Sequence, residues 1–132
     1  MLIATSGSNI DISKESLTAK FAVKFSKLLK IGDVILLYGD IGAGKTTFVR
    51  YLINSLEKQQ KIKLSEITSP TFSILNEYEI KDITIRHYDL FRIKNSREIK
   101  NIGLYENYSD YLSIIEWPEK IKKKFKNKYS LY

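Results

Sequence analysis

Residues 34–50 read VILLYGDIGAGKTTFVR, and this stretch decides the fold. Val34, Ile35, Leu36, Leu37 and Tyr38 form an apolar run rich in β-branched and aromatic residues. It is too short for a helix and right for a buried strand. The run breaks at Gly39, Asp40, Ile41, Gly42, Ala43, Gly44, Lys45 and Thr46, which satisfy G-x-x-x-x-G-K-[ST]. Beyond it Phe48, Val49, Leu52, Ile53 and Leu56 recur at helical spacing. The order is strand, glycine loop, helix, the context that makes the pattern a phosphate-binding loop. Glycines let successive backbone N–H groups face inward, and the helix N-terminus adds partial positive charge. Lys45 would reach the β- and γ-phosphates, and the Thr46 hydroxyl would take one site on Mg²⁺. Thr47 belongs to the same contact run, so the expected cofactors are ATP and Mg²⁺.

A Mg²⁺-bound nucleotide also needs a carboxylate at the end of a strand beside the loop strand, and hydrolysis needs a group that orients water. Two acids close apolar strands, Asp89 in HYDLFR and Glu116 in IEWPE. Asp89 is assigned to the metal, and Glu116 to the metal's water shell or the attacking water; the two roles can be exchanged. Thr71 is the candidate sensor of the γ-phosphate, in a loop that follows the phosphate-loop helix. Trp117 either stacks near the nucleotide or caps the core. Arg92 either offsets transition-state charge or lies on the surface. His87, the sole histidine, reads as a satisfied strand residue rather than a base.

The remaining chain supplies the frame. Residues 1–5 predict an edge strand, and Ser13 an N-cap. Leu17, Phe21, Phe25 and Leu28 form the core stripe of an amphipathic helix that ends near Gly32. Residues 57–65 read as a polar linker. Pro70 rigidifies a turn before a strand in which Phe72, Ile74 and Tyr78 alternate with Ser73, Glu77 and Glu79. Lys81 and Asp82 then close a β-hairpin onto residues 83–88, so the sheet is mixed. A short helix over 96–102, a strand over 111–115 and a helix starting within 119–125 follow.

With 132 residues the chain makes one domain, 1–132, with residues 120–132 as a basic tail. There is no cysteine, hence neither a disulfide framework nor a thiolate metal site. No apolar run approaches the ~20 residues that cross a bilayer, and the start lacks a signal peptide's pattern. The expectation is a soluble, cytoplasmic protein with no membrane partner. The formal charge is +7, but residues 120–128, KIKKKFKNK, hold six lysines, and removing those six leaves +1. Such a cluster reads as a solvated terminus or as a contact for phosphate backbones or an acidic partner.

Four segments in order, GDIGAGKTTF, TSPTF, HYDLFR and IEWPE, resemble the TsaE (YjeE-type) ATPase family of bacterial tRNA threonylcarbamoyladenosine synthesis. Residues and resemblance together predict an α/β, P-loop NTPase-like three-layer sandwich with a mixed, mainly parallel central sheet and an inserted β-hairpin. The resemblance implies weak Mg²⁺-dependent ATPase activity and action with the partner proteins TsaD and TsaB. These attach the threonylcarbamoyl group to N6 of adenosine 37 in tRNA, with tRNA met indirectly or through the basic tail. It also implies that Lys45 and Thr46 bind phosphate and Mg²⁺, that Thr71 sits in a switch-like loop, that Asp89 is the metal acid, and that Glu116 and Trp117 act as a pair. Phe91 stands where the family usually has tyrosine, and Ser16 where threonine is common. The alternatives are a non-hydrolysing nucleotide-gated adaptor and a tRNA-binding module acting through the lysine tail. A GTPase is rejected, because Asp89 is followed by Leu90, Phe91 and Arg92 with no glycine, and no N-K-x-D segment is present.

Overall fold

The computed structural model describes residues 15–39, 44–122, 125 and 128–131. The expected strand over 1–5, the Ser13 cap and loop residues Asp40, Ile41, Gly42 and Ala43 lie outside them. The chain divides into two compact units, Met1–Leu29 with Gly39–Ser69, and Lys30–Tyr38 with Pro70–Tyr132.

In the first unit two helices, α1 (Glu15–Ser26) and α2 (Lys45–Gln59), pack together. Phe21 stacks on Phe25 at 5.4 Å between ring centroids and on Phe48 of α2 at 5.7 Å. This aromatic cluster is the apolar stripe expected from the helical spacing, with Phe25 fully buried. The stripe is shorter than expected: Leu17 and Leu28 are exposed, and α1 ends at Ser26 rather than near Gly32. At the far end of α2, Glu57 is buried and accepts hydrogen bonds from Asn54 Nδ2 and from the backbone N–H and hydroxyl of Ser65. What reads as a solvated linker is therefore pinned back onto the helix by a structural acid.

The second unit holds a five-stranded sheet: β1 (Val34–Leu37), β2 (Leu75–Ile80), β3 (Ile83–Asp89), β4 (Leu112–Glu116) and β5 (Lys128–Leu131), in the order β2-β3-β4-β1-β5. β1 runs parallel to β4 and β5, β3 parallel to β4, and β2 antiparallel to β3. The sheet is mixed and mainly parallel, and its antiparallel member is the expected hairpin. Ile80 pairs with Ile83 across the two-residue turn, where Lys81 takes a positive φ. β1 is buried at all four positions, as a central parallel strand should be. One face gathers Val34, Leu36, Tyr88, Leu90 and Ile115 with Ile93, Ile99 of α3 (Ser96–Asn101), Leu104 and Phe125. Burial of this many large side chains, each worth about 1.5–3 kcal/mol, holds the sheet's ends in register.

Three expectations change. Gly32 does not stop α1; it adopts φ +97, with its hypothetical Cβ only 3.3 Å from the Ser109 carbonyl oxygen, so a side chain there would be strained and crowded. Phe72 and Ile74 are not strand residues. The Ile74 N–H donates to the Pro70 carbonyl at 2.6 Å and Ile74 takes φ +71, so β2 begins only at Leu75 and Phe72 is left 83% exposed. The third is the lysine-rich end. No helix forms at residues 121, 122 or 125; Phe125 packs edge-on against Tyr108, and Lys128–Leu131 adds a parallel strand beside β1. Apolar Phe125 and the alternating Tyr129 and Leu131 outweigh the lysines between them.

Candidate functional site

The phosphate-loop residues and the acids are built in different units. In the first, α2 opens at Lys45 behind Gly44, whose φ of 86 is left-handed and whose missing side chain offers no cap to the helix. The first helical bond runs from the Phe48 N–H to the Gly44 carbonyl, at 3.0 Å. The first-turn N–H groups at Lys45, Thr46 and Thr47 thus have no i−4 acceptor within the helix, the usual anion-attracting end. Lys45 Nζ donates to the Gly39 carbonyl at 2.5 Å. The ammonium and the first-turn N–H groups of α2 suit a phosphate by charge and by donor type.

In the second unit, Asp89 and Glu116 face each other as register partners across β3 and β4, and Glu116 is level with Leu37, the last residue of β1. Both acids sit at the C-terminal edge of parallel strands, and each is only 3% exposed. Burial of a carboxylate is costly unless its lone pairs are used. Asp89 uses both oxygens: Oδ2 accepts from the Thr71 hydroxyl at 3.0 Å and Oδ1 from the Phe91 N–H at 2.9 Å. Its backbone N–H donates to the Ile74 carbonyl at 2.9 Å. The Pro70–Ile74 turn is thus fastened to Asp89 at two points, through Thr71 and Ile74, which brings Thr71 and Asp89 together. Glu116 is held otherwise, by His87 Nε2 at 2.6 Å from Oε2, with the histidine ring wholly buried.

Trp117 follows Glu116 with φ 59, rare for a bulky residue and worth about 1–3 kcal/mol of local strain. That turn lays its ring 5.0 Å from Phe91, so Trp117 caps the chain where it leaves β4. The Arg92 guanidinium stands 5.3 Å over the Phe72 ring. Lys120 donates to the carbonyls of Phe91 and Ile93, fastening the segment after Asp89; this member of the basic end is a structural donor. The carboxylates offer hard oxygen donors of the kind Mg²⁺ selects. Among the described residues no group of three or more His, Cys, Asp or Glu side chains could hold a metal alone.

His87 is the buried strand residue expected, but its partner was not foreseen. On β3 it is two residues from Asp89 and therefore shares its face. Its partner, 29 positions away, emerges only from the β3–β4 register.

The family model "Threonylcarbamoyl adenosine biosynthesis protein TsaE" matches residues 12–131. The chain is 42% identical over 111 residues to the tRNA threonylcarbamoyladenosine biosynthesis protein TsaE of Rickettsia typhi, covering 84% of this chain and 74% of that one. It is 36% identical to the corresponding Aquifex aeolicus protein, covering 84% and 77%. Among solved structures, the crystal structure of Bacillus subtilis YdiB superposes with a TM-score of 0.57 at 27% identity, over 80% of this chain and 61% of that chain. The mixed sheet and that likeness identify an α/β, P-loop NTPase-like fold. Motifs, fold and relatives agree, and the chain belongs to the TsaE family of tRNA threonylcarbamoyladenosine biosynthesis.

Proposed function

We propose that the protein binds and hydrolyses ATP with Mg²⁺, as an accessory factor in forming N6-threonylcarbamoyladenosine at tRNA position 37, acting on the TsaD–TsaB complex. The observation that carries this reading is the register of the sheet. Asp89 and Glu116 end β3 and β4 at one level, and β1, level with Glu116 at Leu37, runs directly into the phosphate-loop sequence.

In this reading Lys45 and the amides of residues 39–47 would bind the phosphates, and the Thr46 hydroxyl and Asp89 would be the ligands for Mg²⁺. The ion would offset charge developing on the phosphoryl oxygens. Glu116 would orient the attacking water or the metal's water shell, and Thr71 would sense the γ-phosphate by giving up its bond to Asp89. Trp117 supports Glu116 by turning the chain. Family membership supports a nucleotide-dependent role in this tRNA modification, and TsaD and TsaB are the partners that role needs. tRNA would be met through them; Lys120 is already engaged with backbone carbonyls. Among the described residues no helix is long and apolar enough to cross a membrane.

One observation favours a second reading. Thr71 and Ile74 couple the TSPTF turn directly to Asp89. Nucleotide binding alone could therefore reshape that turn, as in an adaptor gated without hydrolysis. The test is ATP hydrolysis measured alone and with TsaD–TsaB, beside threonylcarbamoyl incorporation into tRNA. Turnover that rises with the partners is expected. Incorporation supported equally by a non-hydrolysable analogue would select the adaptor, and absent ATP binding would overturn both.

A further inference from the structure

We infer that His87 is a positioning residue that sets the orientation of the Glu116 carboxylate; this rests on the proposed role of Glu116 in hydrolysis. The two side chains lie on neighbouring parallel strands, His87 pairing with Ile114 two residues before Glu116. The imidazole is 0% exposed and Nε2 stands 2.6 Å from Glu116 Oε2. An ionised carboxylate only accepts, so Nε2 must carry the hydrogen. Nδ1 is then the unprotonated nitrogen, and it has no hydrogen-bond partner among the described residues. The bond to Glu116 is therefore the polar contact that fixes the ring, and a second N–H at Nδ1 would be buried without an acceptor.

The bond fixes one oxygen. With Oε2 held, the plane of the carboxylate and the direction of its other oxygen are set. The arrangement is that of a histidine orienting a functional group through a single N–H, the kind of outer support whose loss typically costs about 10–100-fold in activity. The other three buried acids among the described residues show that histidine is not a general requirement for burying a carboxylate here. Asp33 accepts from the Lys30 amide, Glu57 is satisfied by Asn54 and Ser65, and Asp89 by Thr71 and the Phe91 amide. A flexible Glu side chain at a strand end, lacking such local donors, needs a partner from another strand.

The test uses the full chain. His87→Leu removes the donor and keeps an apolar body; it is expected to lower partner-stimulated kcat about 10–100-fold while nucleotide affinity stays the same. His87→Gln, which can return a donor near the Nε2 position, is expected to restore most of that loss. Equal kcat in His87→Leu and wild type overturns the inference, as does loss of ATP binding in step with kcat. Because the chain has one histidine, ring nitrogen NMR of the nucleotide-free protein reads the same bond without activity. A single Nε2-protonated tautomer that becomes mixed in Glu116→Ala is expected. An Nδ1-protonated ring, or a spectrum indifferent to Glu116→Ala, overturns the clamp even if His87→Leu does not fold. The reading of Glu116 fails separately, if Glu116→Gln retains full turnover while the NMR signature is present.

Discussion

Asp89 and Glu116 make an instructive pair. They are register partners at the same edge of one sheet and equally buried, yet they are held by different kinds of bond. Asp89 is fixed by its own chain neighbourhood, through the amide two residues on and the hydroxyl of a turn whose backbone it also anchors. Glu116 is fixed by one buried side chain from a strand remote in sequence. In the roles proposed above, a metal acid would gain from the first design, because the Thr71 hydroxyl on a half-buried turn could be exchanged for a ligand. A water-orienting acid would gain from the second, because its direction must not change during turnover.

The largest expected effect tests whether this pair has a nucleotide to act on. Lys45→Ala is expected to abolish ATP binding in titration calorimetry; unchanged affinity would remove the phosphate-loop assignment and leave the two acids without a common substrate. Next comes a direct contrast. Glu116→Gln is expected to lower kcat by about 10²-fold or more with nucleotide affinity preserved. Asp89→Asn is expected to shift the Mg²⁺ concentration needed for turnover. Reversed outcomes, with Glu116→Gln changing metal dependence and Asp89→Asn only kcat, would exchange the two roles.

A smaller effect probes the exchangeable bond. Thr71→Val deletes the hydroxyl on Asp89 and should lower stability in urea by about 1.5–3 kcal/mol, the scale of a hydrogen bond to a charged group. No change in the denaturation midpoint would mean that the turn is held by Pro70 and the Ile74 bonds alone.

The smallest is a pH effect one residue before Asp89. Burial raises the Tyr88 phenol above its ordinary value, partly opposed by the Arg86 donor. A raised folded value means the unfolded chain releases this proton first. The contribution is therefore complete below the unfolded phenol's pKa and lost as pH climbs through the folded one. Tyr88→Phe should flatten part of the loss of stability above about pH 10; an unchanged alkaline slope would assign that loss to other tyrosines.

Legibility followed the range of the interactions. The β1, loop and α2 order, the Lys81–Asp82 turn and the α3 helix were readable because glycines, turn residues and apolar period act within a few positions. Asp89 and Glu116 were readable as strand ends. Phe72 was misread because alternation alone does not reveal the Pro70–Ile74 turn, which resets the period before β2. The basic end was misread for a related reason. Charge was counted over residues 120–128, whereas Phe125 and the β5 pairing with β1 decide where that segment goes.

The amino-acid order by itself determined a phosphate-binding-loop motif between a buried strand and a helix, the family, and two acids at strand ends, because each rests on local chemistry or on motif. Only the tertiary structure decided that His87 belongs to Glu116 and Thr71 to Asp89, and that the lysine-rich end closes the sheet. Those choices depend on strand register, which is set by the packing of side chains far apart in the chain.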